Sequence, residues 1–192
     1  NGAQFGGGFD IGTTRMNSCF TVDSPEALLN CDTFIPWEAH HNFKAFWSYP
    51  LPAGISFSGA LQSNAGKPYQ ADWSAPNSAI AGSLGRNLAS CGSKTIDTCT
   101  ASALVPLMKP YEQFLDRRFQ IDVRFSKAFN LGDGGSQVRA NFDVYNLTNG
   151  ATILGSNDRY GSKWLFPAAL KNTEVDAILA GRLVHIGGSI SF

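Results

Sequence analysis

The four cysteines are the residues whose type and spacing most clearly predict chemistry, and that chemistry is disulfide formation. Cys19 and Cys31 bracket one polar segment, Cys91 and Cys99 bracket another, and no C-x-x-C pair occurs. Local closure of this kind suits an oxidising compartment. Zinc is the alternative, but the spacing differs from the usual zinc motifs and no histidine lies near the cysteines. We therefore expect two local disulfides and no metal site.

The other reactive side chains form no catalytic pattern. The chain has no G-x-S-x-G, no H-E-x-x-H and no phosphate-binding loop. His40 and His41 are adjacent, so in a strand they point to opposite faces and are interpreted as interfacial or loop residues. Glu112 and Asp116 are interpreted as solvated loop charges. We expect no enzyme activity, no catalytic residue and no cofactor.

The composition argues against several classes of partner. Charged residues make up 16% of the 192 residues, and Lys plus Arg equals Asp plus Glu. Nucleic-acid surfaces carry clustered Lys and Arg, so a nucleic-acid partner is not expected. No run approaches the ~18 apolar residues of a transmembrane helix, and no signal peptide is visible at the start.

Alternation with a period of two residues predicts six strands, each with one apolar and one polar face. The predicted strands are residues 5–12, 42–49, 55–62, 119–131, 137–144 and 184–192. The fourth has about thirteen residues, and at ~3.3 Å per residue and a tilt near 40° it spans roughly 33 Å. Such a length covers the apolar band of an outer membrane.

The connections between these strands alternate strictly in length. Residues 50–54 and 132–135 are predicted to be tight turns rich in Gly or Pro. Residues 15–39, 64–117 and 147–179 are predicted to be long and irregular, apart from a helical turn with Ser24 at its N-cap and Pro25 at its first position. Outer-membrane barrels combine short periplasmic turns with long outside loops.

Strand registers follow from matching like faces across each turn. If Leu131 faces Ser136, Phe125 meets Phe142 on one face and Arg124 meets Asp143 on the other.

In the same way, if Tyr49 faces Ile55, Trp47 meets Phe57 and Phe43 meets Leu61.

Alternation alone does not show which face of the strands contacts water. In a soluble sandwich the apolar faces turn inward, whereas in a barrel they meet lipid and the polar faces line the lumen. Strand length, loop asymmetry and the terminal aromatic Phe192, in phase with the apolar face, favour the barrel. Because bacterial single-chain barrels start at eight strands, we expect residues 1–192 to be an incomplete C-terminal segment of one barrel domain.

Several segments of the chain resemble the closing strands of TonB-dependent outer-membrane receptors, nearest to the type with a carboxypeptidase-regulatory-like N-terminal domain. The similar segments are residues 116–127, residues 138–149, Tyr160-Gly161 with Trp164 and Pro167, residues 181–192, and residues 63–69.

The resemblance implies a barrel of about 22 strands with a plug, which takes up a ligand by force transmitted from the inner membrane. It implies a bacterial outer-membrane location, lipid as a partner, and contact with the TonB system through N-terminal parts outside this sequence. It also implies that Phe192, in the C-terminal strand, is part of the signal read by the barrel-assembly machinery.

Ligand contacts in such receptors come from outer loops and lumen residues, and the candidates here are Tyr69, Trp73, Tyr160 and Trp164. Aromatic residues near strand ends on the apolar face are interpreted as an interfacial girdle. They are Trp47, Tyr49, Phe119, Phe129 and Phe192. The alternative interpretation of the whole chain is a secreted β-sandwich that binds or adheres through disulfide-bridged loops.

Overall fold

The computed structural model describes residues 2–20, 25–132, 135–168 and 177–192. Its centre is one antiparallel sheet of six strands, and four shorter strands form two separate hairpins. The strands are β1 (Gln4–Ile11), β2 (Thr14–Asn17), β3 (Asp32–Ile35), β4 (His41–Leu51), β5 (Ile55–Asn64), β6 (Asp72–Pro76), β7 (Ser102–Pro106), β8 (Arg118–Asn130), β9 (Gln137–Tyr145) and β10 (Leu183–Ser191). The α-helix α1 is Asn77–Leu84, and short 3₁₀ helices are Pro25–Asn30, Trp37–Ala39, Pro52–Gly54 and Ala89–Cys91.

The six strands of the main sheet are the six that the alternation predicted, with ends that differ by one or two residues. They lie in the order β1-β4-β5-β8-β9-β10, so each strand pairs with its predecessor among the long strands. The prediction of an all-β antiparallel meander is therefore confirmed. Within the described residues β1 and β10 are the two free edges, and the sheet does not close on itself.

Antiparallel order places the connections at opposite ends of the sheet. The turns after β4 and β8 lie at one end, called here the turn end, and residues 133 and 134 of the second turn lie outside the described residues. The three long connections leave from the other end, the loop end. None of the helices in the described ranges is long and apolar enough to cross a membrane.

The predicted register of β8 and β9 is confirmed. Phe125 pairs with Phe142 and Arg124 pairs with Asp143, and the Leu131 amide donates a 2.8 Å hydrogen bond to the Ser136 carbonyl. Both faces match at this register because apolar residues meet on one side and opposite charges meet on the other.

The predicted register of β4 and β5 is wrong by two residues. Tyr49 pairs with Phe57, and Trp47 pairs with Gly59. The strand continues through Pro50 to Leu51, and the turn is only Pro52–Gly54, with Ala53 at φ 63° and Gly54 at φ 70°. A shift of two keeps every side chain on its predicted face, so the apolar pattern could not distinguish the two registers.

The predicted irregular stretches 15–39 and 64–117 contain ordered structure. In the second, β6, α1 and β7 enclose a small core made of Ala75, Ile80, Leu88, Cys91 and Val105. Its disulfide, Cys91–Cys99, and the disulfide Cys19–Cys31 beside the β2–β3 hairpin both form, which confirms the two predicted bridges. The predicted N-cap Ser24 lies outside the described residues.

Candidate functional site

The main sheet has two chemically distinct faces, because successive side chains along a strand point to opposite sides and the five registers place mostly apolar residues together on one of them. The apolar face carries Phe5, Phe9, Ile11, Phe43, Trp47, Tyr49, Ile55, Phe57, Leu61, Phe119, Ile121, Val123, Phe125, Phe129, Val138, Phe142, Val144, Val184, Ile186 and Ile190. The polar face carries Asp10, Asn42, Lys44, Ser58, Gln62, Asn64, Arg118, Gln120, Asp122, Arg124, Ser126, Arg139, Asn141, Asp143, His185 and Ser189.

The apolar face is uncovered. Ile186 is 78% exposed, Phe5 is 74% exposed, and Phe142, on a strand with neighbours on both sides, is still 43% exposed. The buried hydrophobic cluster is instead the small core enclosed by β6, α1 and β7. Since water disfavours contiguous apolar surface of this extent, the face requires a non-aqueous neighbour.

Aromatic rings pack along the apolar face rather than standing alone. The Trp47 and Phe57 ring centroids are 6.1 Å apart, and those of Phe57 and Phe125 are 4.8 Å apart. The Trp47 ring lies over Gly59, where an added Cβ would come within 2.3 Å of it. Gly59 is therefore required for this cross-strand packing, which stabilises the sheet without a second layer.

The predicted girdle residues lie at different depths. Tyr49, Phe129 and Phe192 are at the turn end, and Phe119 is at the loop end. Trp47 lies four residues before the end of β4 because that strand is longer than predicted.

One cation also sits on the apolar face, at the turn end. Lys127 pairs with Ile55, and its ammonium donates a hydrogen bond to the Ala53 carbonyl in the turn and lies 5.6 Å from the Phe129 ring centroid. The long stem thus follows apolar surface while the charge reaches the boundary of the strand region.

The polar face holds an ion cluster that spans β8, β9 and β10, in which Asp143 is buried and Arg124 and His185 are partly exposed. The Asp143 side chain is 1% exposed; it accepts hydrogen bonds from Arg124 Nε at 2.5 Å and Arg124 Nη2 at 2.9 Å, and His185 Nδ1 lies 3.1 Å away. This bidentate geometry is the strongest form of an arginine–carboxylate pair. The cluster joins the last three strands on the side opposite the exposed apolar residues.

Arg117 is a connecting residue that the sequence pattern did not predict. Its Nη1 donates to the Ser63 carbonyl at 3.1 Å, and its Nη2 contacts the His41 carbonyl at 3.1 Å and His41 Nε2 at 2.6 Å. It therefore ties the start of β4 to the end of β5 at the loop end. No motif indicated this role, because the three residues are far apart in sequence.

The four predicted ligand residues lie on two loop segments that are hydrogen-bonded to each other. The Tyr160 amide donates to the Asp72 carbonyl at 2.9 Å, next to Trp73, and the Trp164 indole donates to the Gln70 carbonyl at 2.8 Å, next to Tyr69. The Tyr160 and Trp164 ring centroids are 6.1 Å apart. Tyr160 and Trp73 are 58% and 40% exposed.

Two carboxylates lie close together where these loop segments meet. Burial, and then the charge of Asp158, raise the pKa of Asp72 above its usual value. Asp158 itself accepts a 3.3 Å hydrogen bond from the Gln70 amide. Among the described residues no three His, Cys, Asp or Glu side chains converge in a way that could hold a metal ion.

Several cavities open on the polar side of the sheet, and two of them differ clearly in size and position. The larger, about 670 Å³, lies against β1, β4 and β5, with Asp10, Lys44, Phe46 and Gln62 in its wall. The smaller, about 280 Å³, lies at the loop end between three chain segments. Both are lined in part by residues of the polar face.

Comparison with known proteins gives no relative for this chain: no protein-family model, no curated protein and no solved structure matches it. The two faces of the sheet and the loops at its loop end are therefore the features that bear on function.

Proposed function

We propose that this chain is a segment of a bacterial outer-membrane receptor or transporter, in which its six long strands form part of a larger β-barrel wall. The apolar face contacts lipid acyl chains and the polar face lines the lumen. In the whole protein the barrel takes up a ligand bound by the outer loops, with uptake driven through the TonB system.

The observation that carries this proposal is the inverted burial of the sheet. Large apolar side chains such as Ile186 and Phe142 are exposed, while the most deeply buried charge, Asp143, is on the opposite face. A soluble sheet buries its apolar face, whereas a membrane barrel presents that face to lipid. Hydrocarbon is the neighbour that would remove this face from water without a second protein layer.

The lengths and ends of the strands support the same proposal. β8 has thirteen residues and β4 has eleven, about twice the mean for soluble sheets. All long connections leave from one end of the sheet and the short turns lie at the other, which is the asymmetry of outer-membrane barrels. The free edges of β1 and β10 require further strands, because unpaired backbone groups are costly in hydrocarbon.

Nitroxide accessibility tests the proposal on two adjacent residues of β10. Ile190→Cys places a spin label on the apolar face, and Ser189→Cys places one on the polar face. No described cysteine is free in the unmodified chain, so each label has one site there. In the whole barrel that contains this chain, reconstituted in lipid vesicles, we expect the label at 190 to collide mainly with oxygen, which dissolves in lipid, and the label at 189 mainly with a water-soluble nickel chelate.

A secreted sandwich predicts a different result at residue 190. In that case the label at 190 would be shielded from both relaxation agents, and the protein would remain monomeric in buffer without detergent. That pair of results would overturn the membrane proposal.

A further inference from the structure

Arg117 joins three chain segments at the loop end, and one of its partners is a side chain that can take up a proton. Its Nη1 donates to the Ser63 carbonyl at 3.1 Å and to Ser63 Oγ at 3.2 Å. Its Nη2 lies 3.1 Å from the His41 carbonyl oxygen and 2.6 Å from His41 Nε2. Arg117 and His41 are both half-buried. The guanidinium therefore holds the start of β8 against the loop-end residues of β4 and β5.

The guanidinium also fixes the protonation state of its partner. Arginine has only N–H donors and keeps its charge in proteins, so His41 Nε2 must be the acceptor in the 2.6 Å contact. The imidazole is therefore neutral and carries its single proton on Nδ1. This Nδ1 is buried and has no hydrogen-bond partner within the described residues. A second proton would set an imidazolium N–H against the Arg117 N–H at Nε2, and it would gain no acceptor at Nδ1.

The strand on one side of His41 offers no charge that could offset an imidazolium. On β1, His41 pairs with Ile11, and the Phe9 ring centroid is 6.4 Å from the imidazole centroid. The charged residue of that strand is Asp10, which lies on the opposite face and accepts a hydrogen bond from Asn42. This side of the imidazole is therefore apolar.

The segments on the other sides also leave an imidazolium without a carboxylate. β5 contains no titratable residue. At the start of β8, Arg118 adds a cation and Asp116 is exposed. Before β4, His40 is adjacent, and the side chain of Glu38 lies outside the described part of the chain. No described carboxylate lies within 4.0 Å of a His41 ring nitrogen.

From this geometry we infer that the Arg117–His41 contact is a pH-sensitive switch at the loop end, intact at neutral pH and broken in acid. Imidazole is the side chain whose charge normally changes between pH 5 and 8. When His41 takes up its second proton, the two cations repel each other and Arg117 leaves Nε2. The connection between β5 and β8 then loses part of its attachment to β4.

Two backbone amides beside the contact report this loss. The Ala65 amide donates to Asn42 Oδ1 at 3.0 Å, next to His41. The Leu115 amide donates to the Lys67 carbonyl at 2.8 Å, two residues before Arg117. Both bonds depend on the position of the chain ends that Arg117 holds together. The switch is a property of the loop end whichever solvent meets the sheet, so its test is separate from the spin-label test.

The first experiment locates the protons of the imidazole by nitrogen NMR. The whole protein that contains this chain is prepared in detergent micelles with isotope-labelled histidine, and the signals that disappear in His41→Gln belong to His41. At pH 7 we expect a protonated Nδ1 and an unprotonated Nε2. A neutral ring with its proton on Nε2, or an imidazolium at this pH, overturns the inference.

The second experiment measures hydrogen exchange of the Ala65 and Leu115 amides at pH 7 and pH 5, corrected for the intrinsic exchange rate. We expect protection to fall about tenfold or more at the lower pH, because a hydrogen bond from a charged group is lost. Amides of residues 138–140, in the turn half of β9, are the internal reference and should keep their protection.

Substitutions separate the switch from a general effect of acid. His41→Gln keeps an acceptor for Arg117 but cannot take up a proton, so protection at Ala65 and Leu115 should stay high at both pH values. Arg117→Gln removes the cation, so protection should be low at both, and this variant provides the test if His41→Gln does not fold. His40→Gln is the matched control and should keep the full response.

A fall in protection that persists in His41→Gln or in Arg117→Gln overturns the inference. Constant protection of Ala65 and Leu115 in the unmodified protein overturns it as well.

Discussion

Asn146 is the residue on which the closure of the last long connection depends. Its side-chain amide donates to the Gly150 and Ala180 carbonyls, both at 2.8 Å, and its Oδ1 accepts from the Gly150 amide at 3.0 Å. Its backbone amide donates to Asp122 Oδ1 at 2.8 Å. The residue is 2% exposed and has φ 51°, a conformation that asparagine tolerates better than most residues. The residue therefore joins β8 through its backbone amide, and it joins the end of β9 to the approach to β10 through its side chain.

Substitution of Asn146 tests the contribution of these hydrogen bonds to stability. Asn146→Ala loses the side-chain bonds and keeps a Cβ at positive φ, so we expect a loss of about 2–4 kcal/mol in the free energy of unfolding. Asn146→Gly relieves the backbone strain and should recover about 1 kcal/mol of that loss. Urea unfolding of the protein in micelles measures both.

Asn149 provides the control for this prediction. It also has positive φ, but among the described residues its side chain accepts a single bond, from the Arg182 amide at 2.9 Å. Asn149→Ala should therefore cost less than Asn146→Ala. Equal losses at the two positions would contradict the role given to the Asn146 side chain.

At the scale of elements, the loop segments 69–73 and 156–164 carry a pH-dependent contact. The pKa of Asp72 is raised by burial and by Asp158, so folding favours the neutral carboxyl. The contact is thus most stable below the unfolded value of 3.8 and weakens as the pH rises through the raised pKa.

Asp72→Asn should remove this dependence. At pH 7 we expect the loop contact to gain stability, by less than about 1 kcal/mol because the carboxyl is partly exposed to solvent. Hydrogen exchange of residues 69–73 and 156–164 between pH 4 and 7, corrected for the intrinsic exchange rate, measures the change. Protection that stays constant with pH in the unmodified chain would contradict the prediction.

Asp158→Asn is the companion variant for the same contact. Because the charge of Asp158 is the second cause of the shift, this variant should reduce the pH dependence without abolishing it. It also separates the effect of charge from the effect of burial.

The strands and their registers also show how much of the fold could be predicted from the sequence. The six strands and their faces were predictable because a period of two assigns each side chain to a side. The β8–β9 register was predictable because Arg124 and Asp143 add a charge match to the apolar match. The β4–β5 register was not, since a left-handed Ala53 in the turn leaves no trace in the pattern of residue types.

The short strands in the loops and the smaller cavity could not be predicted from the sequence, for a different reason. The β2–β3 and β6–β7 hairpins are too short for their alternation to stand out in the sequence. The cavity is assembled from residues near 64, 116 and 153, and such distant juxtapositions depend on the whole topology. Within the loops, residue type and spacing could name only the two disulfides and the individual aromatic candidates.

At the scale of the whole molecule, the charged side chains of the main sheet lie almost entirely on one of its two faces. Apart from Lys127 at the turn end, the described charges of the six strands lie on the polar face, with Arg124 and Asp143 near its centre. A charge on an exposed surface costs little in water, so water facing the apolar side would impose no such restriction. Hydrocarbon would impose this restriction, because a charged side chain that faces lipid is costly.

Ile186→Arg measures that restriction directly. Ile186 is 78% exposed, so in a protein surrounded by water the substitution should change the free energy of unfolding by no more than about 0.5 kcal/mol. In a bilayer the same residue faces acyl chains, and arginine near the midplane costs about 2–4 kcal/mol. We expect the larger loss, read from urea titrations of folding into lipid vesicles.

His185→Arg, one residue away on the polar face, should be nearly neutral because arginine can still bond to Asp143. Equal effects at 185 and 186 would mean that both faces meet the same solvent.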